Sequence, residues 1–147
     1  MSGTYNTVND DGLVYDYDAF HVVSDVDLFV DMVPYLSIYT EYISNLELDE
    51  DSRGITLGTR FGDRYLNGYG TWQADISYRY LEENAWLDIF PDSDAYGGAT
   101  GVEGLELALS IGVTSKSYLG LDIYQMDKQS EEKNQQTLIQ LDYTIKL

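Results

Sequence analysis

The sequence has 147 residues, 44% of them hydrophobic, and a formal net charge of −18, because 26 Asp and Glu residues face 8 Lys and Arg residues. This length predicts a single domain over residues 1–147, and the acidic excess argues against a nucleic-acid partner, since it repels phosphate groups. Cysteine is absent, which excludes disulfides, thiolate zinc sites and cysteine nucleophiles.

A two-residue alternation of apolar and polar side chains recurs along the chain, and no segment has the spacing of an amphipathic helix. Residues 1–17 form an acidic N-terminal segment, interpreted as a loop or as the remnant of a longer chain. About eight strands are then predicted, within or near residues 18–31, 36–42, 55–61, 72–80, 85–90, 105–113, 119–124 and 138–147. The sequence therefore predicts an all-β protein.

The predicted connections differ in length in a regular way. Short turns at Glu82–Asn84 and Thr114–Ser117 alternate with longer loops at Gly62–Gly70, Pro91–Gly104 and Gln125–Gln136. In a transmembrane β-barrel, short turns lie on one side of the membrane and long loops on the other. The pattern therefore favours an antiparallel up-and-down barrel of that kind.

Alternation alone does not decide which face of each strand is buried. A soluble barrel places the apolar rows inside, whereas a membrane barrel turns them toward lipid and lines its interior with the polar rows. Here Tyr and Trp lie near the ends of the apolar rows, as at Trp72, Tyr80 and Tyr143, which suits the headgroup level of a bilayer. The opposite rows mix small and ionisable residues such as Gly58 and Glu106. Both features favour the membrane interpretation.

The chain closes on the alternating stretch Leu138–Leu147. A bare edge strand invites aggregation, whereas a closed barrel pairs every edge. This ending resembles the C-terminal signature of outer-membrane barrels, although the aromatic residue, Tyr143, lies four positions before the end and Leu147 replaces the more usual Phe.

Three stretches together resemble the C-terminal part of a putative-porin family of bacterial outer-membrane proteins. They are "VPYLSIYTEYISN" (Val33–Asn45), "GTWQADISYRYLEENAWLDIFPDSDAYGGATGVEGLELALSIGV" (Gly70–Val113) and "YLGLDIYQ" (Tyr118–Gln125). The resemblance implies a transmembrane β-barrel that passes small solutes, in a family whose members are usually much longer. Because an open aqueous channel needs roughly 16–18 strands, the chain is expected to belong to a larger barrel, to combine with further copies, or to form a small barrel that does not conduct freely.

Ionisable residues on the polar rows are the candidate lumen-lining groups. They are Arg60, Asp75, Arg79, Asp88, Glu106, Asp122 and Asp142, with Glu41 and Lys146 as further members. One hypothesis is a water-filled lining whose acidic excess favours cations. The alternative is a plugged interior in which Arg60 and Arg79 pair with Asp75, Glu106 or Asp122, because unpaired charges in a narrow interior are costly.

Asp92, Asp94 and Glu103 occupy the first, third and twelfth positions of a stretch with glycine at its sixth, which is the spacing of a calcium-binding loop. No helices flank this stretch, so a turn-rich surface loop is the alternative. His21 is the only histidine, which removes most metalloenzyme schemes. No enzyme activity and no cofactor other than possible Ca²⁺ are expected.

Together with this resemblance, the patterns predict a porin-like barrel in the bacterial outer membrane, and the resemblance implies passive diffusion of small solutes or ions. The expected partners are the lipid bilayer and lipopolysaccharide, which the acidic runs Asp10–Asp11 and Asp49–Asp51 could contact through bridging divalent ions. Two alternatives remain: a non-conducting structural or anchor barrel, and a soluble, lipocalin-like ligand-binding barrel.

Overall fold

The computed structural model describes residues 6–9, 12–87, 91, 93–130 and 134–146. Its strands are β1 (Val8–Asn9), β2 (Gly12–Leu13), β3 (Ala19–Leu28), β4 (Tyr35–Asn45), β5 (Arg53–Gly62), β6 (Trp72–Leu81), β7 (Val102–Thr114), β8 (Ser117–Lys128) and β9 (Gln136–Ile145). A single 3₁₀ turn in this part of the chain covers Tyr96–Gly98. Within the described ranges, no helix has the length and apolarity required to cross a membrane. The predicted all-β class is confirmed.

Strands β3 to β9 form one antiparallel sheet in which each strand pairs with its neighbours in the sequence, while β1 and β2 form a separate two-stranded pair. The connections 46–52, 82–101 and 129–135 lie at one end of the sheet, which we name rim A. The connections 29–34, 63–71 and 115–116 lie at the opposite end, rim B. The sheet is open among the described residues, with β3 and β9 as its edges, so barrel closure is not confirmed.

The strand expected near Ala85 to Phe90 is a wrong prediction for its described part, 85–87, which forms a bend within the β6–β7 connection. Residues 88–90 lie outside the described residues. A backbone hydrogen bond from Ala85 N to Glu82 O, 3.3 Å long, bends the chain there. Among the described residues, the main sheet therefore has seven long strands, whereas about eight were predicted.

The loss of this strand also changes the arrangement of the connections. Loop 62–70 and turn 114–117 both lie at rim B, whereas 82–84 and 91–104 belong to or adjoin the one long connection at rim A. The predicted alternation of short turns and long loops is therefore wrong. The prediction treated 82–84 as a short turn and 91–104 as a separate long loop, with a strand between them. The described residues do not form that strand.

The cross-strand register sorts the side chains of the sheet into two faces, because successive residues of a strand point to opposite sides. On the apolar face one row across the sheet comprises Val26, Ile38, Thr59, Ile76, Leu107, Ile123 and Ile139. On the polar face the neighbouring row comprises Asp25, Tyr39, Gly58, Ser77, Glu106, Tyr124 and Leu138. We keep the names apolar face and polar face below.

Burial is reversed relative to that of a soluble β-protein. On the apolar face Leu107 is 39% and Ile139 is 65% exposed, while on the polar face Ser37 is 0% and Ser77 is 4% exposed. The polar face near rim A also carries buried apolar residues, Leu81, Val102 and Met126 among them. The β6–β7 connection reaches the β3 side of this face, where its Trp86 ring lies 5.7 Å from the ring of His21.

Two asparagine side chains join the connections at rim A to the N-terminal segment. The fully buried Asn45 side chain donates to the carbonyl oxygens of Asp16 and Asn84, at 3.1 and 3.2 Å, and accepts from the backbone N–H groups of Asp18 and Glu47. Asn6 Nδ2 donates to the carbonyl oxygens of residues 83 and 86 in the β6–β7 connection, at 2.8 and 2.9 Å. These bonds hold the N-terminal segment across rim A.

Asn45→Asp tests this asparagine network. The carboxylate has nearly the same shape but no N–H donors, so the carbonyl oxygens of Asp16 and Asn84 lose their bonds from this side chain. We expect a loss of about 1–3 kcal/mol in the free energy of unfolding, together with faster proteolytic cleavage of the N-terminal segment. Asn67→Asp, at an exposed position of rim B, is the control; equal cleavage rates for the two variants would contradict the role of Asn45.

Candidate functional site

Charged and hydroxyl-bearing side chains concentrate on the polar face in the middle of the sheet. The acidic members that the register places there are Asp25, Asp27, Glu41, Asp75, Glu106, Asp122 and Asp142, and the arginines are Arg60 and Arg79. Acidic residues therefore outnumber arginines on this face. The excess agrees in sign with the net charge of the chain.

The first cluster of this face is built on Gly58, the β5 residue that lies between Tyr39 on β4 and Ser77 on β6. The Tyr39 ring crosses over Gly58, where a Cβ atom would collide with its ring and hydroxyl atoms. This path brings the Tyr39 hydroxyl to Asp75 Oδ1 at 2.7 Å. Arg60 contacts the other carboxylate oxygen, with Nε at 3.1 Å and Nη2 at 3.0 Å. One carboxylate thus joins side chains from three strands.

Gly58→Ala is expected to disrupt this cluster. The added methyl group displaces the Tyr39 ring, so the hydroxyl no longer reaches Asp75, and a hydrogen bond to a charged group contributes about 1.5–3 kcal/mol. We expect a similar loss in the free energy of unfolding, measured by urea titration in detergent or lipid. Gly68→Ala is the matched control, because a Cβ at Gly68 meets no atom within 4 Å. Equal stability of the two variants would contradict the proposed packing.

The second cluster lies toward β7 and is more deeply buried. Arg79 Nη2 lies 3.0 Å from Glu106 Oε1, with 18% and 19% of the two side chains exposed. Ser77 Oγ donates to Glu106 Oε2 at 3.4 Å. A recess of about 300 Å³ lies between the two clusters, and Asp122 and Tyr124 on β8 also line it.

The structure brings together most of the residues predicted to line a lumen. Arg60 pairs with Asp75 and Arg79 pairs with Glu106, and the register places Asp122 and Asp142 on the same face. Asp88 lies outside the described residues. A common face is what the alternation predicted, while the lumenal role of these residues stays a prediction.

The predicted calcium loop is only partly described. Asp92 lies outside the described residues, and Glu103, on β7, accepts a hydrogen bond from the Tyr78 hydroxyl at 3.0 Å. Among the described side chains, no group of three or more His, Asp or Glu residues is arranged to hold a metal ion. Binding of Ca²⁺ by Asp92, Asp94 and Glu103 stays a prediction.

Sequence reasoning missed the part that uncharged residues play in these clusters. Tyr39 and Gly58 organise the first cluster, and Ser37 Oγ donates to Asp25 Oδ1 at 2.7 Å. The signal was present, because Ser37 and Tyr39 alternate in phase with Glu41 and therefore share its face. The Tyr39 ring also lies 5.4 Å from the Arg60 guanidinium carbon, close enough for a cation–π contact.

Comparison with protein families decides the affiliation of the chain. A family model described as "Putative porin" matches residues 4–147, essentially the whole sequence. The chain belongs to this family. Neither the curated proteins nor the solved structures yielded a match. The resemblance deduced from the strand motifs is thereby confirmed. Membership of this family supports a porin-like role in general and a membrane-embedded β-barrel.

Proposed function

We propose that this sheet forms part of the wall of an outer-membrane porin, with its apolar face against lipid and its polar face lining a passage for small solutes. The observation that carries the proposal is the reversed burial of the two faces. Leu, Ile and Val side chains remain exposed on one side, whereas serine and glycine are buried on the other. A soluble, lipocalin-like barrel requires the opposite arrangement, since its apolar rows form the core.

The dimensions and the aromatic residues of the sheet support a membrane location. Strands β3 to β9 have 10–13 residues, and a tilted transmembrane strand needs about 9–11. On the apolar face Trp72 and Tyr143 lie near rim B, while Tyr42 and Tyr80 lie toward rim A. Aromatic residues at both ends of an apolar band are typical of membrane barrels, where they sit at the headgroup level.

The acidic excess of the polar face favours cations over anions. Arg60 and Arg79 each contact a carboxylate, so their charges are offset locally by Asp75 and Glu106. The further carboxylates on β8 and β9, Asp122 and Asp142, give this part of the face a negative potential. Rings of acidic side chains are the usual basis of cation preference in a pore.

Reconstitution into a planar bilayer tests this function. The protein is purified from the outer-membrane fraction, and the reversal potential is measured under a KCl gradient; we expect discrete conductance steps with K⁺ more permeant than Cl⁻. Asp122→Asn combined with Asp142→Asn should lower this cation preference. Asp49→Asn, in the β4–β5 connection at rim A, should leave it unchanged.

Other outcomes of the measurement separate the alternatives. A folded membrane protein without conductance would indicate a structural or anchor barrel, and a larger permeability for Cl⁻ would contradict the cation preference. A protein that stays soluble without detergent would contradict the membrane location.

A further inference from the structure

A cavity of about 330 Å³ opens on the polar face close to rim A, beside the β6–β7 connection. Residues of β3 to β6 form its floor, and Trp86 and Pro91 of the connection lie along its wall. It is distinct from the recess between the two clusters, because Arg79 lines this cavity while its partner Glu106 lines the recess. Its volume lies at the lower end of the range for small-molecule sites, so we expect a small ligand.

Three polar side chains cross the floor of the cavity in one row. Glu41 on β4 pairs in register with Thr56 on β5, and Thr56 pairs with Arg79 on β6. Neighbouring strands lie about 4.8 Å apart, so the carboxylate and the guanidinium stand on strands about 10 Å apart, with a hydroxyl between them. The two long side chains can therefore contact opposite ends of one small ligand that lies above Thr56.

The polar atoms of this row have capacity for a ligand. Thr56 is 9% exposed, and its hydroxyl has no hydrogen-bond partner among the described residues. Buried hydroxyl groups in native proteins are normally hydrogen-bonded, so this one indicates a polar partner inside the cavity. Glu41 contacts His21 Nε2 through Oε1 at 2.7 Å, and its Oε2 atom has no hydrogen-bond partner in the described part of the chain. The Arg79 guanidinium has several N–H donors, which allow it to contact a second carboxylate besides Glu106.

The next row toward rim A is apolar. Ile43 on β4 pairs with Gly54 on β5, which pairs with Leu81 on β6. The Leu81 side chain lies over Gly54, at the place that a Cβ atom would occupy, so Ile43 and Leu81 flank one apolar surface. His21 is the register neighbour of Ile43 on β3, and the Trp86 ring lies 5.7 Å from the His21 ring. The cavity therefore has a charged half and an apolar half.

We propose that this cavity binds a small zwitterion with an apolar side chain, namely a free α-amino acid with a branched aliphatic side chain. Its ammonium group contacts Glu41 and the Thr56 hydroxyl, and its carboxylate contacts Arg79. Its side chain lies on the apolar row, against Leu81 and Trp86. The inference deepens the proposed function, on which it rests, because it names a class of solute that binds on its way through the passage.

The charges of the cavity favour a zwitterion over other small solutes. An organic cation would bring a second positive charge near Arg79, and an organic anion would bring a second negative charge near Glu41; like charges at short range repel. A neutral sugar would displace water from both charged groups without supplying an opposite charge, which is costly. A zwitterion supplies one partner for each group.

Calorimetric titration of the intact protein in lipid nanodiscs tests the proposal, with empty nanodiscs as the blank. L-Leucine is the probe. Its methyl ester lacks the carboxylate, isocaproate lacks the ammonium group, and D-glucose lacks both charges. We expect saturable binding of L-leucine, with the ester and isocaproate bound about tenfold more weakly, because each loses a hydrogen bond between charged groups.

Two variants test the named contacts. Glu41→Gln removes the carboxylate charge and should raise the Kd for L-leucine about tenfold. Thr56→Val removes a hydroxyl without a partner, so it should leave the fold intact and raise the Kd about three- to tenfold. Thr40→Val is the matched control, because Thr40 on β4 lies on the apolar face beside Leu57, and we expect an unchanged Kd. Heat-dependent migration on gels verifies that each variant is folded.

Absence of saturable L-leucine binding would overturn the proposal, and so would equal affinity for the ester, isocaproate or glucose. An unchanged Kd in the folded Glu41→Gln and Thr56→Val variants would also overturn it, because the ligand would then bind elsewhere. A protein that conducts K⁺ in planar bilayers but does not bind L-leucine would refute only this inference. A protein that binds L-leucine but does not conduct would support the site and refute the proposed function.

Discussion

Leu107→Arg is expected to lower the free energy of unfolding in lipid vesicles by about 2–4 kcal/mol, the range for a basic residue on the lipid side of a barrel near the bilayer midplane. Leu107 lies mid-strand on β7, and its side chain is 39% exposed on the apolar face. A charge at this position must leave water for hydrocarbon. Urea titration of the vesicle-inserted protein, followed by Trp72 and Trp86 fluorescence, measures the loss.

Ala108→Arg provides the matched control for this prediction. Ala108 is the next residue of the same strand and points to the polar face, where its register neighbours are Asp75 and Asp122. An arginine at this position lies beside two carboxylates, so we expect the free energy of unfolding to change by less than about 1 kcal/mol. If Ala108→Arg proved the more damaging of the two, the assignment of the faces would be reversed and the membrane interpretation would fail.

Glu106→Gln is expected to lower the free energy of unfolding by about 3 kcal/mol, because removing one member of a buried ion pair leaves the other charge uncompensated. This loss is at the low end of the range for broken buried ion pairs, since the side chains of Arg79 and Glu106 are still 18% and 19% exposed to solvent. Asp75→Asn should lower the free energy of unfolding by less, because its partner Arg60 has a side chain that is 39% exposed. The measurement is again urea titration in vesicles.

A double-mutant cycle isolates the energy of the Arg79–Glu106 pair. We expect Arg79→Met and Glu106→Gln each to destabilise the protein, and the double variant to lose less than the sum of the two. Strict additivity would show that the ion pair does not couple the two residues. The plugged-interior hypothesis would then lose its energetic basis.

The sequence predicted the strands and their faces well where alternation was regular. The run Leu105–Val113 alternates without interruption and lies within β7, and the two arginines on polar rows share a face with the acidic residues. The ion-pair partners stayed open, because Asp75, Glu106 and Asp122 were equally plausible. Cross-strand register decides between them, and register depends on turn geometry rather than on the composition of a strand.

The strand prediction that failed over residues 85–87 has a different cause. A short apolar stretch can form a strand or a connection, and here contacts distant in sequence decide. Asn6 bonds to the carbonyl oxygens of Glu83 and Trp86, which lie 77 and 80 positions away. No local pattern reveals such a contact, so the role of the N-terminal segment was equally hidden.

The asparagine network at rim A joins segments that lie far apart in the sequence, unlike the strand pairings of the main sheet. Each strand pairing in the main sheet joins sequence neighbours, so the hairpins form by short-range closure. The bonds of Asn45 to Asn84 and of Asn6 to Glu83 span 39 and 77 positions, and they require β4 and β6 to be in place first. We therefore expect the contacts at rim A to form after the hairpins of the sheet.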